Sequence, residues 1–126
     1  MRVIRLLVSV VAMPILLAAP VTAATGLYAP ESLDRWFRIE THVERGTKGP
    51  VVWGHVYNKT NLHAEKMVVR VDALDASGAV MGSTTTWVAG LVPATNRAYF
   101  ETRAPEGARY RVEVVSFDWT GRGSGN

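Results

Sequence analysis

From Arg35 onward, apolar and polar side chains alternate at a period of two, the mark of strands half buried in a sheet. Over Arg35–Val43, Phe37, Ile39 and Val43 share one face with Thr41, while Trp36, Arg38, Glu40 and His42 share the other. The loop Glu44–Pro50, with its glycines and proline, ends this run. Val51–Asn58 follows, with Val52, Gly54 and Val56 on one side and Val51, Trp53, His55 and Tyr57 opposite. A glycine inside a strand predicts a bulge or a closely packed neighbour. Asn58–Asn61 is a turn, because Asn tolerates left-handed backbone.

Lys66–Leu74 places Met67, Val69, Val71 and Ala73 on one face, and Asp75–Gly78 closes it as a turn with Asp first and Gly last. Ala79–Val88 continues as a more polar strand whose β-branched residues suit an edge. After the loop Leu91–Asn96, Arg97–Arg103 turns Ala98 and Phe100 inward, and Tyr110, Val112 and Val114 line a last strand to about Phe117. Trp87 and Trp119 read as core or rim packing, and Met67 and Met81 as core fillers. Ser32 and Asp34 suit a helical turn, but the residues after them favour a strand, so no helix is predicted beyond the N-terminus. Six or seven one-sided strands bury themselves most simply as an all-β, immunoglobulin-like antiparallel β-sandwich spanning residues 34–119.

The N-terminus has a different pattern. Arg2 and Arg5 precede an apolar run from Leu6 to Ala19, and small residues follow, which is the layout of a signal peptide over residues 1–23. Cleavage is expected after Ala23 or Ala24, with residues 24–33 as a linker and the Gly/Ser-rich residues 120–126 as a disordered tail. An uncleaved anchor is the alternative, since Ile4–Ala24 is just long enough to span a bilayer. Pro14 and Pro20 argue against it. The chain then belongs in the periplasm or outside the cell. It holds no cysteine, so its core must stand without disulfides, as in ordinary bacterial periplasmic proteins.

Charge changes the picture little. The whole chain has 14 basic and 11 acidic residues; without Arg2 and Arg5 the balance is 12 against 11, or +1. Basic residues are dispersed, so nucleic-acid binding has no electrostatic footprint. No nucleophile motif, phosphate-binding loop or dinucleotide fingerprint is present, and an enzyme is not expected. No cofactor is expected either.

The order Val52-x-Gly54-x-Val56-x-Asn58, then Asp75-x-x-Gly78, Leu91-x-Pro93, Phe100 and Tyr110-x-Val112-x-Val114 resembles immunoglobulin-like domains of the FxLYD type and related bacterial domains of unknown function. The stretch that names that family falls on Val71–Asp75, where Asp75 is kept. The resemblance implies an immunoglobulin-like sandwich without enzymatic activity, and it carries over no catalytic residue.

One constellation joins the first two strands. For Phe37, Ile39 and Val43 to share a side with Val52, Gly54 and Val56, the hairpin must pair His42 with Trp53, Glu40 with His55 and Arg38 with Tyr57. Three readings stand for the outer face. It is a set of ordinary cross-strand pairs; or Trp36, Arg38, Trp53, His55 and Tyr57 hold a partner, expected to be a protein; or Glu40, His42 and His55 hold a divalent metal such as zinc or copper. The metal reading lacks a fourth ligand, and His63 lies in a turn. Ser83–Trp87 is the candidate edge for strand pairing with another chain. The expected function is an exported binding or interaction module, with a metal-binding protein as the alternative.

Overall fold

The computed structural model describes residues 28–122, so the expected leader and the end of the expected tail lie outside the described residues. The elements are α1 (Pro30–Trp36), β1 (Phe37–Gly46), β2 (Gly49–Asn58), β3 (Leu62–Leu74), β4 (Val80–Trp87), β5 (Arg97–Arg103) and β6 (Arg109–Arg122). Two three-stranded antiparallel sheets, ordered β1-β2-β5 and β4-β3-β6, pack face to face as an all-β sandwich. The order is that of strands A, B and E over C′, C and F in an immunoglobulin-like sandwich. A second mark agrees: Tyr110, at the start of β6, donates its hydroxyl to the carbonyl of Pro105 at 2.6 Å, as the tyrosine at the start of strand F does in that fold.

The core follows the alternation. Val52, Val56, Met67, Val69, Val71, Val92 and Phe100 are fully buried. Each such Val contributes about 1.5 kcal/mol or more by leaving water. Buried Asn58 works through its amide rather than through left-handed backbone. Its Nδ2 donates to the carbonyls of Leu62 at 2.7 Å and Val92 at 3.1 Å, and its Oδ1 accepts from the Thr60 N–H at 2.9 Å. The turn after β2 is thereby tied to the loop before β5. The Asp75–Gly78 turn forms as expected: Asp75 Oδ1 accepts from the N–H groups of Ser77 and Ala79, and Gly78 has φ 94°.

Three expectations are corrected. A helix stands where a linker and the start of a strand were expected, opened by Pro30 in its first turn, whose ring presets the helical φ. Met81 and Trp87 are 60% and 65% exposed rather than core or rim. In β4 it is Thr84 and Thr86 that lie opposite buried Val71 and Val69, so the odd positions must face out. The last strand continues to Arg122. It does so past a bulge: Val69 pairs with Val114 but Val68 with Ser116, leaving Val115 as one extra residue. The extra residue reverses the alternation, so Phe117 and Trp119 face the core side already taken by Val112 and Val114. There they meet Tyr28, Trp36 and Phe37, with ring centroids 4.8–6.3 Å apart.

The outer face of the β4-β3-β6 sheet has one buried charge. Asp72 is 3% exposed, and its carboxylate accepts from Ser83, from Arg70 Nε at 3.1 Å and from Arg111 Nη2 at 2.9 Å. Burial pushes its pKa up, but the hydrogen bonds from Ser83 and Arg111 and the charges of Arg70 and Arg111 outweigh that, so the carboxyl titrates below its usual value. Arg70 also reaches Glu113 at 2.5 Å, which closes the network.

Two stability measurements test this account. An added Cβ at Gly54 would overlap the carbonyl oxygen of Glu40 and lie 2.8 Å from its carbonyl carbon. Gly54→Ala should therefore lower stability in urea by about 2–3 kcal/mol, as overpacking does; an unchanged urea midpoint would show that β1 yields freely. Asp72→Ala should cost about 3 kcal/mol, the low end for a broken buried pair, because Arg111 is half exposed. Since the folded pKa of Asp72 is depressed, its contribution is full above the ordinary aspartate value of 3.8 and fades as pH falls through the folded value. The gap between wild type and variant should close below that pH.

Candidate functional site

The hairpin forms in the register that the alternation demands: Arg38 opposite Tyr57, Glu40 opposite His55 and His42 opposite Trp53. With the core side taken by Phe37, Val52, Gly54 and Val56, the other set must face out. Strand β5 extends each row, because Tyr57 pairs with Arg97, His55 with Tyr99 and Trp53 with Glu101. The outer face of β1-β2-β5 is thus four successive rows: Arg38–Tyr57–Arg97, Glu40–His55–Tyr99, His42–Trp53–Glu101 and Glu44–Val51–Arg103.

Glu40 is the centre of this face. Its Oε1 accepts from His55 Nδ1 at 3.1 Å and from the Tyr57 hydroxyl at 3.3 Å, and its Oε2 accepts from His42 Nε2 at 3.1 Å. An ionised carboxylate only accepts, so the imidazole nitrogens facing it carry the protons. The hydrogen bonds from His42 and then His55 hold the Glu40 carboxyl below the usual glutamate value. The rings are held in turn. His42 stacks on Trp53 at 4.4 Å, His55 meets Tyr99 edge-on at 5.7 Å, and the Arg38 guanidinium lies 4.0 Å from the Tyr57 ring centroid. Arg97 Nη1 donates to the Tyr57 hydroxyl at 3.0 Å. That hydroxyl donates onward to Glu40, so a continuous chain of hydrogen bonds crosses all three strands.

Of the residues expected here, Arg38, Glu40, His42, Trp53, His55 and Tyr57 come together. Trp36 does not join them. It ends α1 rather than beginning a strand, and it packs on Tyr28, Phe117 and Trp119. His63 stands on β3, away from this face, with Nδ1 accepting from the Ala94 N–H at 3.0 Å. The residues that sequence reasoning missed are Arg97, Tyr99 and Glu101. Their alternation around buried Ala98 and Phe100 was visible, but not that β5 lies beside β2.

Chemically, this face presents ring surfaces, the guanidiniums of Arg38, Arg97 and Arg103, and the carboxylates of Glu40, Glu44 and Glu101, of which Glu40 is fixed by three hydrogen bonds. Among the described residues no three His or carboxylate side chains are grouped so as to hold a metal ion. Glu40 sits between the imidazoles and engages one ring nitrogen of each, Nε2 of His42 and Nδ1 of His55. Ser83–Trp87 does form an edge, as β4 ends its sheet. That edge is flanked, however: just past it Ala89 N–H bonds the carbonyl of Tyr99 at 2.8 Å, and Gly82 lies against Pro105. No helix among the described residues is long and apolar enough to cross a membrane. Comparison with family models, with curated proteins and with solved structures finds no match to this chain.

The network predicts a titration. In carbon-detected NMR, the Glu40 side-chain carboxyl should titrate below 4.5, the ordinary glutamate value. With both His42→Ala and His55→Ala in place it should move back up toward that value. An unmoved midpoint in the double variant would mean that the imidazoles do not hold the carboxylate.

Proposed function

We propose that this protein is a non-enzymatic binding module, exported to the periplasm or beyond, that holds a partner on the outer face of β1-β2-β5. The observation that carries the reading is the fixing of Glu40 by His42, His55 and Tyr57 among stacked rings. Side chains already locked in one geometry lose little freedom on binding, so their contacts are converted to affinity more fully. Tyr, Trp and Arg are also the residue types enriched where proteins meet. The contact residues are Arg38, Trp53, His55 and Tyr57. The FxLYD-type resemblance implies no enzymatic activity, and the sequence carries no nucleophile motif.

Site-specific photocrosslinking in the native host tests this. A benzoylphenylalanine at position 53 should yield a discrete adduct, whereas the same probe at exposed Thr85, on the opposite outer face, should not. Equal labelling at both positions, or none at either, would remove the β1-β2-β5 face as the binding surface.

A further inference from the structure

The rows of the β1-β2-β5 face differ in charge, and one end is left open. Arg38 and Arg97 flank the Tyr57 ring from the two neighbouring strands, with guanidinium carbons 4.0 Å and 5.7 Å from its centroid. Both side chains are exposed, and among the described residues neither is ion-paired with a carboxylate. Lys59 adds a third cation at the same end, where its Nζ donates to the main-chain carbonyl of Asp34 at 2.8 Å. The carboxylates of the face lie in the other rows: Glu40, already bonded, Glu101, which accepts from the Tyr99 hydroxyl at 2.5 Å, and Glu44 in the row farthest from the arginines. Two arginines held on one aromatic ring, with no carboxylate ion-paired to either among the described residues, are a ready receptor for a carboxylate. A guanidinium meets a carboxylate through paired N–H donors, and a charged acceptor roughly doubles the strength of such bonds.

Resting on the reading of this face as the binding surface, we propose that Arg38, Tyr57 and Arg97 form the anion-recognition end of the site, and that the ligand is an acidic peptide segment of a partner protein. The acidic side chain sits between the guanidiniums. The rest of the segment crosses the rings of His55, Tyr99 and Trp53, giving backbone N–H groups to Glu40 and Glu101. These carboxylates disfavour an unbroken run of acidic residues, so the segment carries one or two carboxylates at one end. Three cations are too few, and too localised, for a nucleic-acid backbone.

An array of immobilised twelve-residue peptides tests this with the mature protein. It carries sequences with one or two terminal Asp or Glu residues, their Asn and Gln counterparts, polyglutamate, and acidic and neutral oligosaccharides. The expected result is retention by the singly and doubly acidic peptides, at least tenfold weaker binding to the amide counterparts, and a similar loss in Arg38→Gln and Arg97→Gln. Arg103→Gln, on β5 two positions beyond Glu101, should bind as wild type does. Equal binding to amide and acidic peptides, retention that survives both arginine substitutions, preference for the acidic oligosaccharides or polyglutamate, or a blank array would each overturn the proposal. A blank array beside an intact adduct at position 53 sinks the acidic-peptide ligand alone. Loss of both sinks the binding face itself.

Discussion

Gly54 lies so close to the main chain of Glu40 that no side chain fits between β2 and β1 at that point, and the outer face of β1-β2-β5 depends on this contact. With no Cβ to hold the strands apart, β1 settles onto β2 with Thr41 opposite Gly54. The register is then enforced from both sides of the sheet. A slip of one residue would carry Val52 and Val56 into water and turn Trp53, His55 and Tyr57 toward the core. A matching slip of β1 would bring Arg38 and Glu40 inward, at the cost of burying charges. Each penalty alone is several times the worth of a cross-strand pair, which is ~0.2–1 kcal/mol. The hydrogen-bond chain from Arg97 through Tyr57 to Glu40 and His42 is therefore a consequence of core packing on the other side of the sheet. It does not have to pay for the register itself.

How far the chain could be read from its residues follows from the range of each interaction. The hairpin register was legible because a short loop forces β1 and β2 together and the alternation of each then leaves one way to match them. The limits of β5 and the Asp75–Gly78 turn were legible for the same local reason. The pairing of β2 with β5 was not, because about forty residues intervene and several strands alternate equally well; with it went Arg97, Tyr99 and Glu101. The bulge at Val115 was hidden because one extra residue leaves no mark in composition, although it decides that Phe117 and Trp119 face inward. Met81 and Trp87 misled in the opposite sense. Hydrophobicity drew them inward, but β4 must follow the parity of β3, and that puts Thr84 and Thr86 against the buried valines. Trp36 was lost to the outer face because Pro30 starts a helix that ends on it.

The two outer faces of the sandwich use the same residue types to different ends. On β4-β3-β6, Arg70 and Arg111 converge on Asp72, and Arg70 reaches on to Glu113. Two guanidiniums meet two carboxylates, the central one is buried, and the charges are closed among themselves. On β1-β2-β5, Arg38 and Arg97 converge on a ring instead, and the carboxylate in the next row, Glu40, is taken up by imidazoles and a hydroxyl. A tyrosine ring attracts a guanidinium by roughly 0.5–1 kcal/mol at an exposed site, enough to orient it but well short of replacing a counter-ion. The first arrangement binds the sheet to itself. The second holds its cations in place without pairing them to a carboxylate among the described residues, and that difference sets the two faces of this sandwich apart.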